Sequence, residues 1–323
     1  MNGEASKNVL VFGGSGFIGT RLVARLSGAG HHVVSADIKP PRIRLDGVVY
    51  RQADVRDLSG FDPSMTIDRI YNLAAVHTTP GHPDHEYYET NILGANSITA
   101  LARRLDVKEI VFTSSISVYG PGEETKSETS PPAPVSPYGW SKFMAERIQM
   151  AWLDEDASRR LVICRPAVIF GPGEGGNFTR MATLMKKGIF VYPGRKDTIK
   201  ACFYVDDLLE ALQFAIERPE RFVLFNGCYP DRYTLEQIVE TFRTNHMQTV
   251  RTFLVPRGVV TLAAALLRPF SAMGLGIHPD RVTKLVKSTD VVPGWLASVD
   301  QASAGRLPSA IDRWGTASEG RFV

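Results

Sequence analysis

Cysteine is scarce, with three in 323 residues, at positions 164, 202 and 228. Such spacing suits neither a zinc motif nor a disulfide framework and points to a reducing compartment. A large excess of either charge is also missing. The 37 basic and 34 acidic residues leave +3 with no basic run, which argues against a nucleic-acid partner. Long unbroken apolar runs are absent as well. Residues 259–277 are rich in Ala and Leu, but Arg268-Pro269 interrupts them. Each part is too short to span a bilayer, so no integral membrane segment is expected there, and a buried or cleft-flanking helix is. Residues 1–7 are polar and read as no signal peptide, which leaves the cytoplasm as the expected location. A composition 44% hydrophobic and 22% charged is that of an ordinary globular protein, long enough for two lobes around a cleft.

What is present begins with a dinucleotide signature. Residues 8–12 (Asn-Val-Leu-Val-Phe) read as a buried strand running into Gly13-Gly14-Ser15-Gly16-Phe17-Ile18-Gly19. A helical pattern follows, with Ile18, Leu22, Val23 and Leu26 apolar and Gly28 and Gly30 near its end. Glycines permit the tight turn and let the backbone approach a pyrophosphate, which then sits at the positive end of the helix. A second strand, residues 32–36, ends in Asp37, about 20 residues on, as the fingerprint requires. A carboxylate there accepts hydrogen bonds from both ribose hydroxyls and repels a 2′-phosphate. NAD is therefore expected over NADP.

The second signal is Tyr138 and Lys142 in Ser136-Pro137-Tyr138-Gly139-Trp140-Ser141-Lys142. Four residues apart, they share one helix face. Ser136 is a candidate N-cap and Pro137 fits the first turn, so the pair sits where a helix begins. A nearby ammonium favours the phenolate, and the expectation is a lowered tyrosine pKa.

Together these features resemble the extended short-chain dehydrogenase/reductase family, which includes nucleotide-sugar epimerases, dehydratases and related reductases. Gly13, Gly16 and Gly19 match its cofactor glycines, with Phe17 and Ile18 between the last two. Asp54 and Val55 match the pair that contacts adenine, and Leu73-Ala74-Ala75, closing a strand at 68–73, match the turn under the cofactor. Asn91 matches an asparagine in the helix beside the active site. The strand at 109–112 delivers Thr113 to Gly120, and alignment to Tyr119-Gly120 places the triad hydroxyl at Ser115. Arg165, Pro166 and Ala167 through Gly173 match the segment under the nicotinamide, and residues 203–207 match the later Val-Asp-Asp helix start.

The resemblance implies catalysis by Ser115, Tyr138 and Lys142, with Tyr138 exchanging the substrate's hydroxyl proton as hydride passes to NAD. Lys142 would also hold the nicotinamide ribose. Dehydration is not expected, because Ile116 and Ser117 stand where dehydratases place acids. An NAD-dependent nucleotide-sugar epimerase acting at C4 is the leading reading, its place in surface polysaccharide synthesis implied by the family alone. The alternatives are a dehydrogenase or reductase of a keto sugar, steroid-like or other small alcohol, and a non-catalytic NAD sensor. Val168, where sugar-nucleotide enzymes often carry asparagine, leans toward the reductase, and an intact triad argues against the sensor. Asn177 and Lys200 are candidate diphosphate contacts, although lysine lacks the bidentate geometry of the usual arginine. His77, Ser115 and Ser117 are expected to line the substrate pocket. His77, His82 and His85 lie close in sequence, but in a loop with two prolines and a glycine, and no metal is expected.

Strand and helix alternate from residue 8 to about 170, the pattern of a doubly wound parallel α/β sheet (Rossmann) with a smaller C-terminal substrate-binding lobe. The NAD-binding domain is expected at 1–171, with 201–228 returning to it, and the substrate lobe at 172–200 and 229–323. Residues 123–137, with four prolines, read as a loop. Helices near 88–105 and 138–153 resemble those that pair across a homodimer interface in this family.

Overall fold

Four consecutive apolar side chains, Val9, Leu10, Val11 and Phe12, are wholly buried, so the strand they form must be covered on both faces. A computed structural model describes residues 5–78, 81–256, 258–259 and 286–323. In chain order the elements are β1 (Asn8–Phe12), α1 (Phe17–Gly28), β2 (His32–Asp37), β3 (Val49–Gln52) and β4 (Arg69–Asn72). Next come α2 (Asp84–Tyr88), a π-helical turn (Glu89–Leu93), α3 (Gly94–Arg104), β5 (Glu109–Thr113) and β6 (Gly122–Lys126). They are followed by α4 (Pro137–Asp154), β7 (Arg160–Pro166), β8 (Val168–Phe170), α5 (Asn177–Lys186), β9 (Ile189–Gly194) and β10 (Cys202–Tyr204). The last are α6 (Val205–Ile216), β11 (Phe222–Gly227), α7 (Leu235–Asn245), β12 (Arg251–Pro256), β13 (Thr289–Val291), α8 (Gly294–Ser298) and α9 (Leu307–Ala317).

Two compact units result. One comprises Met1–Tyr119, Pro131–Pro166 and Leu209–Phe225; the other comprises Gly120–Ser130, Ala167–Leu208 and Asn226–Val323. The first is built on a seven-stranded sheet in the order β11-β7-β5-β4-β1-β2-β3, whose pairs from β7 to β3 all run parallel. This is a doubly wound α/β sheet, and chain order reverses between β1 and β4. Such a switch point opens a crevice at the carboxyl ends of the strands. Its core joins Leu10, Phe12, Ile70 and Phe112 of the strands to Ile98 of α3 and Trp152 of α4. In the second unit, aromatic rings do the packing. Phe170 stacks on Phe178 at 4.4 Å, and Trp314 meets Phe242 and Phe322 edge-on.

Two local expectations give way. Within the loop expected at 123–137, Gly122–Lys126 forms a strand that pairs in parallel with β13, and Thr125 Oγ1 donates to Asp290 at 2.8 Å. That partner lies 165 residues away, beyond any local pattern. The helix expected near 88–105 is broken by the π turn around Asn91. All but the first residue of the apolar stretch at 259–277 lies outside the described residues. No helix among the described residues is long and apolar enough to cross a membrane.

At the amino ends of the central strands, Glu109 accepts from Arg69 (2.6 Å), Arg160 (2.6 Å) and Lys7 (3.3 Å). Arg160 also donates to the carbonyls of Ala215, in the last turn of α6, and Arg218, just beyond it. One buried carboxylate thus serves three cations. Replacing it by Gln leaves Arg69, wholly buried, without its counter-charge. Glu109→Gln is expected to lower stability by about 3–5 kcal/mol, read by chemical denaturation; a change within half a kilocalorie would show the cluster to be incidental.

Candidate active site

The turn after β1 forces glycine. Gly13 adopts φ +79°, its N–H donates to Ala36 O at 2.9 Å, and a Cβ on it would lie 2.7 Å from Ala74 N. A Cβ on Gly19 would lie 2.1 Å from Gly13 O, so α1 packs directly on the turn. Gly16 caps α1 with extended backbone, and Phe17 and Ile18 begin a first turn free of acids. This is the geometry that receives an anion at a helix start. Asp37, at the end of β2, accepts from Ser15 N–H at 3.0 Å and Lys39 N–H at 2.9 Å, which fixes its carboxylate beside the turn. Arg42 Nε donates to Ser15 O at 3.1 Å. No motif marked Ser15 or Arg42; both come to the site through loop conformation.

Leu73, Ala74 and Ala75 follow β4, and Leu73 N–H donates to Phe12 O at 3.0 Å, setting this turn against the glycines. Asp54 is gripped by its neighbour Arg56 at 2.6 Å, whose hydrogen bonds hold the carboxyl below its ordinary pKa. Val55 is buried in the core, where a Cβ on Gly94 would meet it at 3.0 Å. Asn91 is buried and works as a clamp. Its Oδ1 accepts from Val76 N–H at 3.0 Å, and its amide donates to Val76 O at 3.2 Å and Ser141 Oγ at 2.8 Å. Together these groups form a glycine cradle, a fixed carboxylate and a lining turn, all in one unit. They fit a dinucleotide.

At the neighbouring strand end, Ser136 caps α4, accepting from Gly139 N–H at 3.1 Å, with Pro137 in the first turn. A Cβ on Gly139 would lie 2.5 Å from Ser117 O, so the helix can begin there only because residue 139 lacks a side chain. Ser115, buried, accepts from Ser117 N–H at 3.1 Å, and its hydroxyl is near enough to the half-buried Tyr138 phenol to lower its pKa. The Tyr87 ring stands 6.2 Å from that of Tyr138. Lys142, one turn on, is 1% exposed, its ammonium 4.4 Å from the Phe112 ring.

The expected lowering of the Tyr138 pKa is not what the site shows. Burial pushes it up to about 12, opposed by the Ser115 hydrogen bond and reinforced by Tyr87. Burial likewise brings Lys142 down to about 7, with Glu146 pulling the other way. Loss of water outweighs the attraction the sequence pattern suggested. Glu146, one turn beyond Lys142, is buried and held by Arg165 at 2.9 and 2.7 Å, while Arg165 also donates to Tyr119 OH at 2.8 Å. The helix face therefore reads Tyr138, Lys142, Glu146, and only its first two members were singled out from sequence.

The other candidates are distributed. Ser117 is half-buried beside Ser115, and His77 is exposed just past the Leu73–Ala75 turn. Pro166 ends β7; Ala167, in the second unit, donates to Gly227 O at 3.0 Å. Also in the second unit, Asn177 is exposed at the start of α5. Lys200 is half-buried there, donates to Lys287 O at 2.7 Å, and is brought down to about 8 by burial. Among the described residues no cluster of three or more His, Cys, Asp or Glu could hold a metal ion.

A parallel sheet with this glycine turn and a Tyr-x-x-x-Lys helix defines an NAD-linked short-chain dehydrogenase/reductase of the extended type. Residues 9–226 match the model of the NAD dependent epimerase/dehydratase family, and the chain belongs to it. It is 32% identical over 212 residues to N-acetyl-alpha-D-glucosaminyl-diphospho-ditrans,octacis-undecaprenol 4-epimerase of Escherichia coli O157:H7, covering 65% of this chain and 63% of that one. Identity to UDP-glucose 4-epimerase of Vibrio cholerae is 28% over 224 residues, covering 66% and 68%. The chain thus spans less than two thirds of the first relative's length. Its fold is similar to that of ADP-L-glycero-D-manno-heptose-6-epimerase of Helicobacter pylori, with TM-score 0.75 at 16% identity over 97% of this chain and 96% of that one.

A lysine held near 7 when folded, against 10.5 when free, leaves the unfolded chain binding more protons between those values. Its burial therefore costs most below pH about 7, and the cost fades as pH rises toward 10. Lys142→Met is expected to melt higher than the parent, with the gap largest at or below neutral pH and closing above it. Calorimetry across pH checks this; a variant that melts lower throughout would show that the lysine's contacts outweigh its desolvation.

Proposed function

We propose that this protein is an NAD-dependent 4-epimerase of a hexose carried on a diphosphate, with a nucleotide sugar as substrate, serving surface polysaccharide synthesis in the cytoplasm. The observation that carries this reading is Tyr138 with buried Lys142 one turn on along α4, beside the buried Ser115, in the unit that holds the glycine turn. Both relatives are named as 4-epimerases, one of UDP-glucose and one of an undecaprenol-linked diphosphosugar. Asn177 and Lys200 would meet the diphosphate, and His77 and Ser117 the sugar.

Within this reading Gly13, Gly16 and Gly19 admit the pyrophosphate, Asp37 takes the adenosine ribose hydroxyls, and Leu73–Ala75 with Pro166 and Ala167 line the remainder. When bound, NAD supplies a reversible hydride acceptor at the carbon to be inverted. In its phenolate form Tyr138 takes the hydroxyl proton and later returns it, while Ser115 holds the same oxygen throughout. Lys142, brought down to about 7 by burial, stands one turn on along the same helix. Asn91 keeps this helix registered on the turn after β4 through Ser141. A homodimer fits the exposed Tyr88, Leu93, Trp140 and Met144, apolar side chains on or beside α2 and on α4.

The test incubates purified protein with UDP-glucose, UDP-galactose and their N-acetylhexosamine counterparts, without added cofactor, and follows interconversion by chromatography. Interconversion is expected, and Tyr138→Phe is expected to slow it at least ~100-fold while leaving NAD affinity within about twofold. Stoichiometric consumption of reduced cofactor in place of interconversion would replace the reading with a reductase.

A further inference from the structure

We propose that the outer face of the β9–β12 pair docks on an anionic membrane surface. Of fifteen exposed large hydrophobic residues among those described, three stand in register on one face of this pair: Ile189, Val191 and Phe253. The parallel register sets Ile189 beside Arg251 and Val191 beside Phe253, so these side chains share one sheet face. Val191 and Phe253 there are 45% and 51% exposed; on the opposite face Phe190 and Tyr192 are buried, while Leu254 is exposed. On α5, Arg180, Leu184 and Lys187 follow one another at helical spacing and are exposed. Lys187 joins β9 through Gly188, whose carbonyl accepts from Arg251 N–H at 2.9 Å. Lys187 and Arg251 therefore sit beside the apolar face where the two strands begin.

Charge decides the partner. Residues 175–196 and 241–279 contain no Asp or Glu, so α5, β9 and β12 present Arg180, Lys187 and Arg251 without an acid of their own. A second copy meeting this face across a twofold axis would set like charges together. Anionic headgroups satisfy the cations, and the shallow apolar face enters the acyl boundary, as at peripheral membrane sites. The inference stands apart from the proposed reaction and does not need it.

Sedimentation of the full chain with phosphatidylglycerol-containing vesicles tests it, against phosphatidylcholine vesicles alone. Binding is expected only to the anionic vesicles and is expected to fall at high salt. Lys187→Gln with Arg251→Gln should lower partitioning about 25-fold, at about fivefold per cation. Val191→Ser with Phe253→Ser should lower it at least about tenfold, with an unchanged melting temperature. No binding to anionic vesicles, or equal binding by both pairs of variants, overturns the proposal. So does a dimer, seen by light scattering without vesicles, that dissociates on Phe253→Ser.

Discussion

Between the first turn of α4 and the end of β5 there is no room for a side chain, since a Cβ on Gly139 would stand 2.5 Å from the Ser117 carbonyl. That approach brings the Tyr138 phenol to the Ser115 hydroxyl, and it fixes where the next turn, Lys142, must lie. Other contacts hold the helix in the same place. Asn91 in its π turn ties the segment after β4 to Ser141, and Arg165 ties Glu146 to β7. Three neighbouring strands thus aim one helix, so the geometry of the site belongs to the whole sheet.

Dryness is the second consequence. Packing this tight removes water from Lys142 entirely and from much of Tyr138, moving the lysine down and the tyrosine up. Proton affinities that would lie close together in water are pushed apart. At the opposite end of the strands Glu109 resolves a similar problem differently, by gathering Lys7, Arg69 and Arg160 around one carboxylate. One end of the sheet is satisfied by ion pairs, the other leaves its titratable groups few partners, and the second is where chemistry is expected.

Much of this was legible before any coordinates. The run Asn8–Phe12, the glycines after it and Asp37 foretold a buried strand, a tight turn and an acid at the end of β2, because each leaves a local signature. The spacing of Tyr138 and Lys142 gave the helix face. Arg42 was silent, since a loop arginine has no period to betray it, and β6 was hidden because its partner β13 is supplied from far along the chain. Glu146 stood at the next i+4 position and could have been read. What gave it meaning was Arg165 beneath it.

Residue order alone determined that a glycine turn would meet a helix start, that an acid would close β2, and that Tyr138 and Lys142 would face the same way. Those are consequences of covalent spacing and local backbone preference. Only tertiary structure decided how the groups are protonated and what they touch, because desolvation depends on atoms brought in from distant segments. Phe112, Tyr87 and Ser115 surround the pair without being its neighbours in sequence. A pattern of spacings carries no record of how much water they exclude.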